Sequence, residues 1–440
     1  MSRNLLPRNA VALGVTLVSV ILVLVPFHAF LTVWLSSLVG HYTLLRLWKE
    51  FLLLVIVAIS LWQLRDPMVR KPLFASKLTW LIFVYAAVQL IWGAVAYAHH
   101  SVTTKALAYG LLVNLRFLAF FLAAWVLALK SKDLQTNWRK WIIGPAILVI
   151  LLALLQYFVL PYDVLRHFGY GESTIYPYET INHNIHYIRV MSTLRGANPL
   201  GAYLVMILSL LIVGWRKQFK DWQFAIFPVA GILALLLTFS RSAWIGFAVS
   251  ALVIVTTWLN TKRLKELSGM VAVGIVIVAI GLFAILRHNA TFQNIFAHTQ
   301  DHSTIKTSSN EGHFSALRNG LRDMVHQPFG RGPGTAGPAS VYNHDKVRLA
   351  ENYFVQIGQE TGWLGFGLFI AIIIMLGRAL WRRRADQLAL GLFAALIGLC
   401  IVNLLSHAWT DDTLAYTFWG LAGVAMVPLL KKPQPKTKKI

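Results

Sequence analysis

The sequence predicts an all-α, polytopic membrane protein of about twelve transmembrane helices, with a large external loop before the last three. Three observations carry this. Of 440 residues, 57% are hydrophobic and only 13% charged, about half the charged fraction of a soluble domain, and mean hydropathy is +0.62. The apolar residues fall in runs of about 20, the length a helix needs to cross a bilayer. The long polar break is a single stretch between Arg287 and Glu351, rich in His, Arg and Gly.

The runs place helices at 10–34, 42–64, 78–98, 106–129, 141–160, 198–214, 222–239, 242–258 and 269–286, then, after the break, at 352–377, 387–405 and 413–429. Pro26 is positioned to kink the first, and only Ser240-Arg241-Ser242 separates the seventh from the eighth. The chain therefore divides into nine transmembrane helices over 1–286, with an external loop at 161–197; an external loop with an amphipathic helix over 287–351; three helices over 352–430; and a basic cytoplasmic tail over 431–440.

The formal charge of +23 does not point to nucleic acid, because the basic residues sit in short clusters between apolar runs. Some 25 of the 40 Lys and Arg lie on one side: Arg3 and Arg8, then clusters around residues 65–77, 130–140, 216–220, 262–265, 378–384 and the tail. Positive charge marks the cytoplasmic side, so both termini are placed inside and the break outside. The single cysteine, Cys400, lies within a span and forms no intramolecular disulfide.

The other side carries mainly arginine: Arg166, Arg189, Arg195, Arg241, Arg287, Arg318, Arg322, Arg331 and Arg348. Orientation needs any positive charge, whereas bidentate contact with phosphate favours Arg, so this face is suited to a phosphate-bearing ligand. Arg241, in LLLTFSRSAWIGF, lies between two apolar runs, where a charge either lines a cavity, meets an anion, or snorkels from a tight turn. Arg189 and Arg195 precede a span that Asn198-Pro199 caps and starts, which sets a helix N-terminus beside two guanidinium groups. Arg116, nearer mid-span, is expected to pair with Glu50, itself close to Arg46 and Lys49. His183-x-x-His186 lacks a placed third ligand and carries no metal assignment.

Within the break, Phe314, Leu317, Leu321, Met324 and Val325 recur at helical spacing, predicting an amphipathic helix over 314–326 with Arg318 and Arg322 on one flank. It lies on the membrane surface or covers the transmembrane core. The following PFGRGPGTAGPAS is either a flexible turn or a backbone nest whose free amides cradle phosphate. Glu351, Asn352, Gln356 and Glu360 stand at the entrance to the tenth helix, with His344 just upstream.

These segments carry a resemblance. RVMSTLRGANPLGAYL, LTFSRSAWIGF, GHFSALRNGLRDMVHQPFGRGPG and ENYFVQIGQETGWLG, in that order, resemble the O-antigen ligase/O-antigen polymerase superfamily of bacterial membrane glycosyltransferases. The resemblance implies a GT-C-like, metal-independent, inverting enzyme without cofactors in the bacterial cytoplasmic (inner) membrane. Such an enzyme transfers a glycan from an undecaprenyl-diphosphate carrier to a glycan or glycolipid acceptor at the outer face of the lipid bilayer. It places Arg189 and Arg241 on the family's diphosphate-binding arginines, with Arg195 as a further candidate. Where the ligases have His-Asn this chain has Glu351-Asn352, and His313 stands where many relatives have Arg. That departure leans toward a polymerase, or a ligase for another acceptor.

The expected catalytic groups are Glu351 as base, with His344 or His313 as substitutes; Arg318, Arg322 and Asn352 are expected to position donor or acceptor. The competing class is a flippase or exporter of lipid-linked oligosaccharides. It predicts inverted repeats or charges crossing mid-membrane on several helices, and the sequence shows an outer-sided charge asymmetry instead.

Overall fold

The computed structural model describes residues 8–181, 184–215, 226–259, 289, 309–344 and 347–427. It is an all-α bundle. The helices are α1 (Arg8–Leu24), α2 (His28–Val39), α3 (Tyr42–Leu45), α4 (Trp48–Gln63), α5 (Pro67–Phe74), α6 (Lys77–Ala98), α7 (Thr104–Lys130), α8 (Asp133–Phe158), α9 (Ala197–Trp215), α10 (Ile226–Leu237), α11 (Arg241–Trp258), α12 (Ser309–His326), α13 (Tyr353–Arg382), α14 (Gln387–Leu404) and α15 (Asp412–Ala425). The described sheet is one antiparallel pair, β1 (Glu179–Ile181) and β2 (Asn184–Arg189).

Eight stretches are long and apolar enough to cross a membrane, the first being Asn9–Val39, where α1 and α2 join through a 3-10 turn at Pro26. The twelve expected spans are not all matched by length. The 42–64 run breaks into α3 and a sixteen-residue α4, 413–429 becomes the fourteen-residue α15, and α10 has twelve residues. The expected 269–286 helix and the basic tail lie outside the described residues.

The centre of the bundle is α7, α9 and α15, lined by Phe117, Phe120, Phe121, Tyr203, Tyr416 and Trp419, all fully buried. α7 packs along α15, while α14 packs against both α9 and α11. Gly246 and Gly398 meet where α11 crosses α14, too close for any side chain. Small residues at such crossings let membrane helices approach backbone to backbone.

A buried ion network sits inside this centre. Arg116 contacts both Glu50 (3.0 Å) and Asp412, and Lys49 contacts Glu50 (3.0 Å) and Asp412 (3.1 Å). His28 lies 3.1 Å from Asp412, and Arg116 also donates to the Thr410 carbonyl at 3.0 Å. The Arg116–Glu50 pair expected from the sequence is present; Asp412 and His28 complete it. Two cations meet two carboxylates, which is what makes charge tolerable at this depth.

α13 kinks at Gly362 (φ +65°), and a strap of residues 327–337 fills the break. The Trp363 amide donates to the Pro328 carbonyl (3.0 Å), and the Gln359 and Glu360 carbonyls accept from the Arg331 (3.0 Å) and Gly332 (2.7 Å) amides. The strap thus satisfies the backbone groups that the kink releases. Gly334 (φ +86°) presses on α7 so closely that a Cβ would overlap the Ala106 carbonyl. Gly334→Ala is expected to cost roughly 1–3 kcal/mol from left-handed strain and overpacking. A thermal unfolding series in detergent checks this, and an unchanged midpoint would refute it.

Candidate functional site

Three helices, α9, α11 and α13, begin at the same end of the bundle, which we call the head. Their first turns surround a cavity of about 450 Å³ lined by Asn198, Ser240, Arg241, Ser242 and Glu351, together with Arg189 from β2. Its remaining wall is apolar: Phe239, Ile245, Phe314, Leu317, Leu404 and Leu405. Ile245, Phe314, Leu404 and Leu405 are also among the exposed large side chains. The cavity is therefore basic at one end and oily at its mouth.

Arg189 is fixed from three directions. It faces Glu179 across the β1–β2 pair (3.4 Å), donates through Nε to the Thr238 carbonyl (2.9 Å), and through Nη2 to Asn198 (2.7 Å). Burial pulls its guanidinium below the ordinary arginine value, with Glu179 opposing; an arginine remains charged through such a change. Asn198 does not cap α9, as the sequence suggested, because the helix already starts at Ala197. Its side chain holds Arg189 instead.

Arg241 is the first residue of α11, after Ser240 as N-cap, and no side chain caps the helix. Phe239, just upstream, has φ +49°. Glu351 has φ +50° and precedes Asn352, which caps α13 by accepting from the Val355 amide (3.0 Å). A non-glycine residue rarely occupies this region unless its surroundings hold it there. Two of the five such residues among those described line this one cavity.

Arg189, Arg241 and Glu351, distant in sequence, are thus brought together. The other expected site residues are placed differently. Asn352 is buried; its amide nitrogen donates to the Leu404 carbonyl (2.9 Å), so its side chain is used in holding α13 against α14. Arg195 turns away and faces Asp411 (3.6 Å) in a second cavity. Arg318 and Arg322 are exposed on α12 and do not line the first cavity, and His344 is exposed and outside it. His313 lies on α12, but its side chain, like His183, falls outside the described residues.

α12 is amphipathic as predicted, and its apolar stripe divides. Leu317 and Met324 pack on Ala350 and Val355, whereas Phe314, Leu321 and Val325 stay exposed. Asp323 accepts from Gln359 (2.9 Å) and so ties α12 to α13.

The Gly-rich strap turns its amides on one of the protein's own side chains. Its amides surround the buried Glu360 carboxylate: Gly334 donates to it at 2.9 Å, Ala336 donates as well, and Asn114 binds the other side at 2.6 Å. The nest is built for oxygen acceptors, and the acceptor that fills it is a side chain of the same protein. Sequence reasoning placed Glu360 at the helix entrance and missed this role; a carboxylate inside an apolar run was the available signal.

The fold and cavity define a multi-pass, all-α membrane protein whose head holds a chamber lined by two arginines and a glutamate. Two guanidinium groups and three helix N-termini stand there with the Glu351 carboxylate. Residues 226–370, which carry Arg241, Glu351 and Glu360, match the O-antigen ligase family, and this match supports membership of the chain in the O-antigen ligase/polymerase superfamily. It supports a glycan-transferring ligase or polymerase role. A search of curated proteins finds no match.

Proposed function

We propose that the protein transfers a glycan from an undecaprenyl-diphosphate carrier to a sugar hydroxyl at the outer face of the cytoplasmic membrane, with its termini in the cytoplasm. The observation that carries this is the first cavity: Arg189, Arg241 and Glu351 in one chamber whose mouth is apolar. A lipid diphosphate has the same two-sided chemistry. Its polyprenyl chain suits the wall of Ile245, Phe314, Leu404 and Leu405, and its diphosphate suits the two guanidinium groups and the first turn of α11.

In the proposed step Glu351 removes the acceptor hydroxyl proton. The oxygen attacks the anomeric carbon as the bond to the diphosphate oxygen breaks, and the carrier diphosphate leaves with that electron pair. A single displacement inverts the anomeric centre. Arg189 and Arg241 stabilise the charge that grows on the leaving group, a task fixed cationic donors perform without a metal. Inner-membrane placement and metal independence belong to this reading. Activity that persists in excess chelator would support the latter, and complete loss would remove it.

The test uses the purified full-length protein with a lipid-diphosphate glycan. Arg241→Ala is expected to lower transfer about 10²–10³-fold, the usual effect of removing one preorganised donor, and to weaken binding of inorganic diphosphate. Undiminished transfer would sink the site. Movement of the lipid-linked glycan across vesicles without formation of a new glycosidic bond would favour the flippase reading.

A further inference from the structure

A second cavity of about 370 Å³ opens beside the first, lined by Tyr42, Arg46, Tyr109, Arg195 and Asp411 over a floor of Asp412 and its ion network. Its volume is in the ordinary range of ligand pockets, about 300–1,000 Å³. The same two chain segments wall both chambers. Residues 189–198 give Arg189 and Asn198 to the first and Arg195 to the second; residues 404–413 give Leu404 and Leu405 to the first and Thr410 through Thr413 to the second. A chain molecule reacting in one chamber has the other within immediate reach.

We propose that this second cavity is a saccharide subsite that takes sugar residues bearing a carboxylate or phosphate. The proposal rests on the transfer reading for its biological setting, while its chemistry stands on the cavity alone.

The charge inventory points to an anionic sugar. In the floor, Lys49 and Arg116 are matched by Glu50 and Asp412. On the wall, Arg195 faces Asp411, whose carboxylate is held by the Thr413 (3.0 Å) and Leu414 (3.3 Å) amides at the start of α15. Arg46 is left over. It donates to the Tyr109 hydroxyl at 2.8 Å and lies 5.2 Å from that ring's centre, and among the described residues no carboxylate comes within 4.0 Å of it. A half-buried guanidinium whose partner is a neutral phenol retains capacity for an anion.

The rest of the wall suits a sugar. Tyr42 and Tyr109 offer aromatic faces, and the Arg195–Asp411 pair offers donors and an acceptor for vicinal hydroxyls. Burial pushes the Asp411 carboxyl above its ordinary value, with Arg195 opposing. The amides of α15 fix its direction whatever its charge.

Saturation-transfer NMR on the purified full-length protein tests this, with methyl glucuronide, methyl galacturonide and glucose 1-phosphate as probes and methyl glucoside as the neutral control. At least one anionic sugar is expected to bind the wild type more tightly than the neutral control. Its affinity is expected to fall about tenfold or more in Arg46→Gln, the loss of a charge-assisted hydrogen bond. Arg241→Ala is expected to leave it unchanged while weakening inorganic diphosphate. Failure of every anionic sugar to bind better than the neutral one, or equal binding by Arg46→Gln, would overturn the proposal. In the transfer assay Arg46→Gln is expected to raise KM for one glycan substrate and leave kcat in place. A raised acceptor KM assigns the subsite to the acceptor, and a raised donor KM to the donor's glycan; no change in either rejects it. The two readings fail separately. Undiminished transfer by Arg241→Ala removes the diphosphate site and leaves the sugar titration standing, and equal sugar binding by Arg46→Gln does the reverse.

Discussion

Glu351→Gln is expected to lower glycan transfer by about two to four orders of magnitude, the usual contribution of a positioned general base. Diphosphate binding is expected to stay near the wild-type level, because the arginines are untouched. Gln conserves the shape of the side chain and removes its ability to accept a proton. The backbone supplies a second arm. At φ +50° Glu351 occupies a conformation that glycine adopts freely. Glu351→Gly is therefore expected to unfold at or above the wild-type temperature and to be as inactive as Glu351→Gln. A stable, inactive glycine variant would separate chemistry from folding, and an active one would remove Glu351 from the reaction. Glu351→His is expected to retain more transfer than either, since an imidazole can also act as base.

Hydropathy made the helical membrane architecture legible, because span length is a property of local sequence. The long helices came through for that reason, and the short ones did not. α4 and α15 begin at the head among Arg46, Lys49, Glu50, Asp411 and Asp412, and their polar first turns serve the ion network. What local sequence lacks is the direction in which a side chain points after a turn. Arg189 and Arg195 are six residues apart and were read as one group. The backbone between them reverses through Ser192, at φ +53°, and sends them into different chambers. The strap was misread for a related reason. Its glycines announced a nest, but the carboxyl group that fills it, Glu360, lies 26 residues beyond Gly334. Arg241 and Glu351 were identifiable singly, from a charge inside an apolar run and from the departure at a helix start. Their shared cavity, with Arg189, is a tertiary fact.

Arg116→Met is expected to destabilise the protein by about 3–5 kcal/mol, the effect of removing one partner from a buried ion pair. The side chain lies in the centre of the bundle and bonds Glu50, Asp412 and the Thr410 carbonyl at once. Methionine fills much of the volume and satisfies none of them, leaving Lys49 to balance two carboxylates. Unfolding in detergent or bicelles measures the loss. Combining Arg116→Met with Glu50→Gln is expected to recover part of it by restoring one cation to one carboxylate, and an additive double variant would argue against a coupled network. A second consequence follows from chain connectivity. Asp412 belongs to the network, and its neighbour Asp411 holds Arg195 in the second cavity. Loosening Asp412 therefore disturbs the wall of that cavity before it reaches the first, where Arg189 is braced by Glu179, Thr238 and Asn198. In folded Arg116→Met protein at low temperature, binding of an anionic sugar is expected to weaken while binding of inorganic diphosphate persists. Equal loss of both would mean that the network supports the head as a whole.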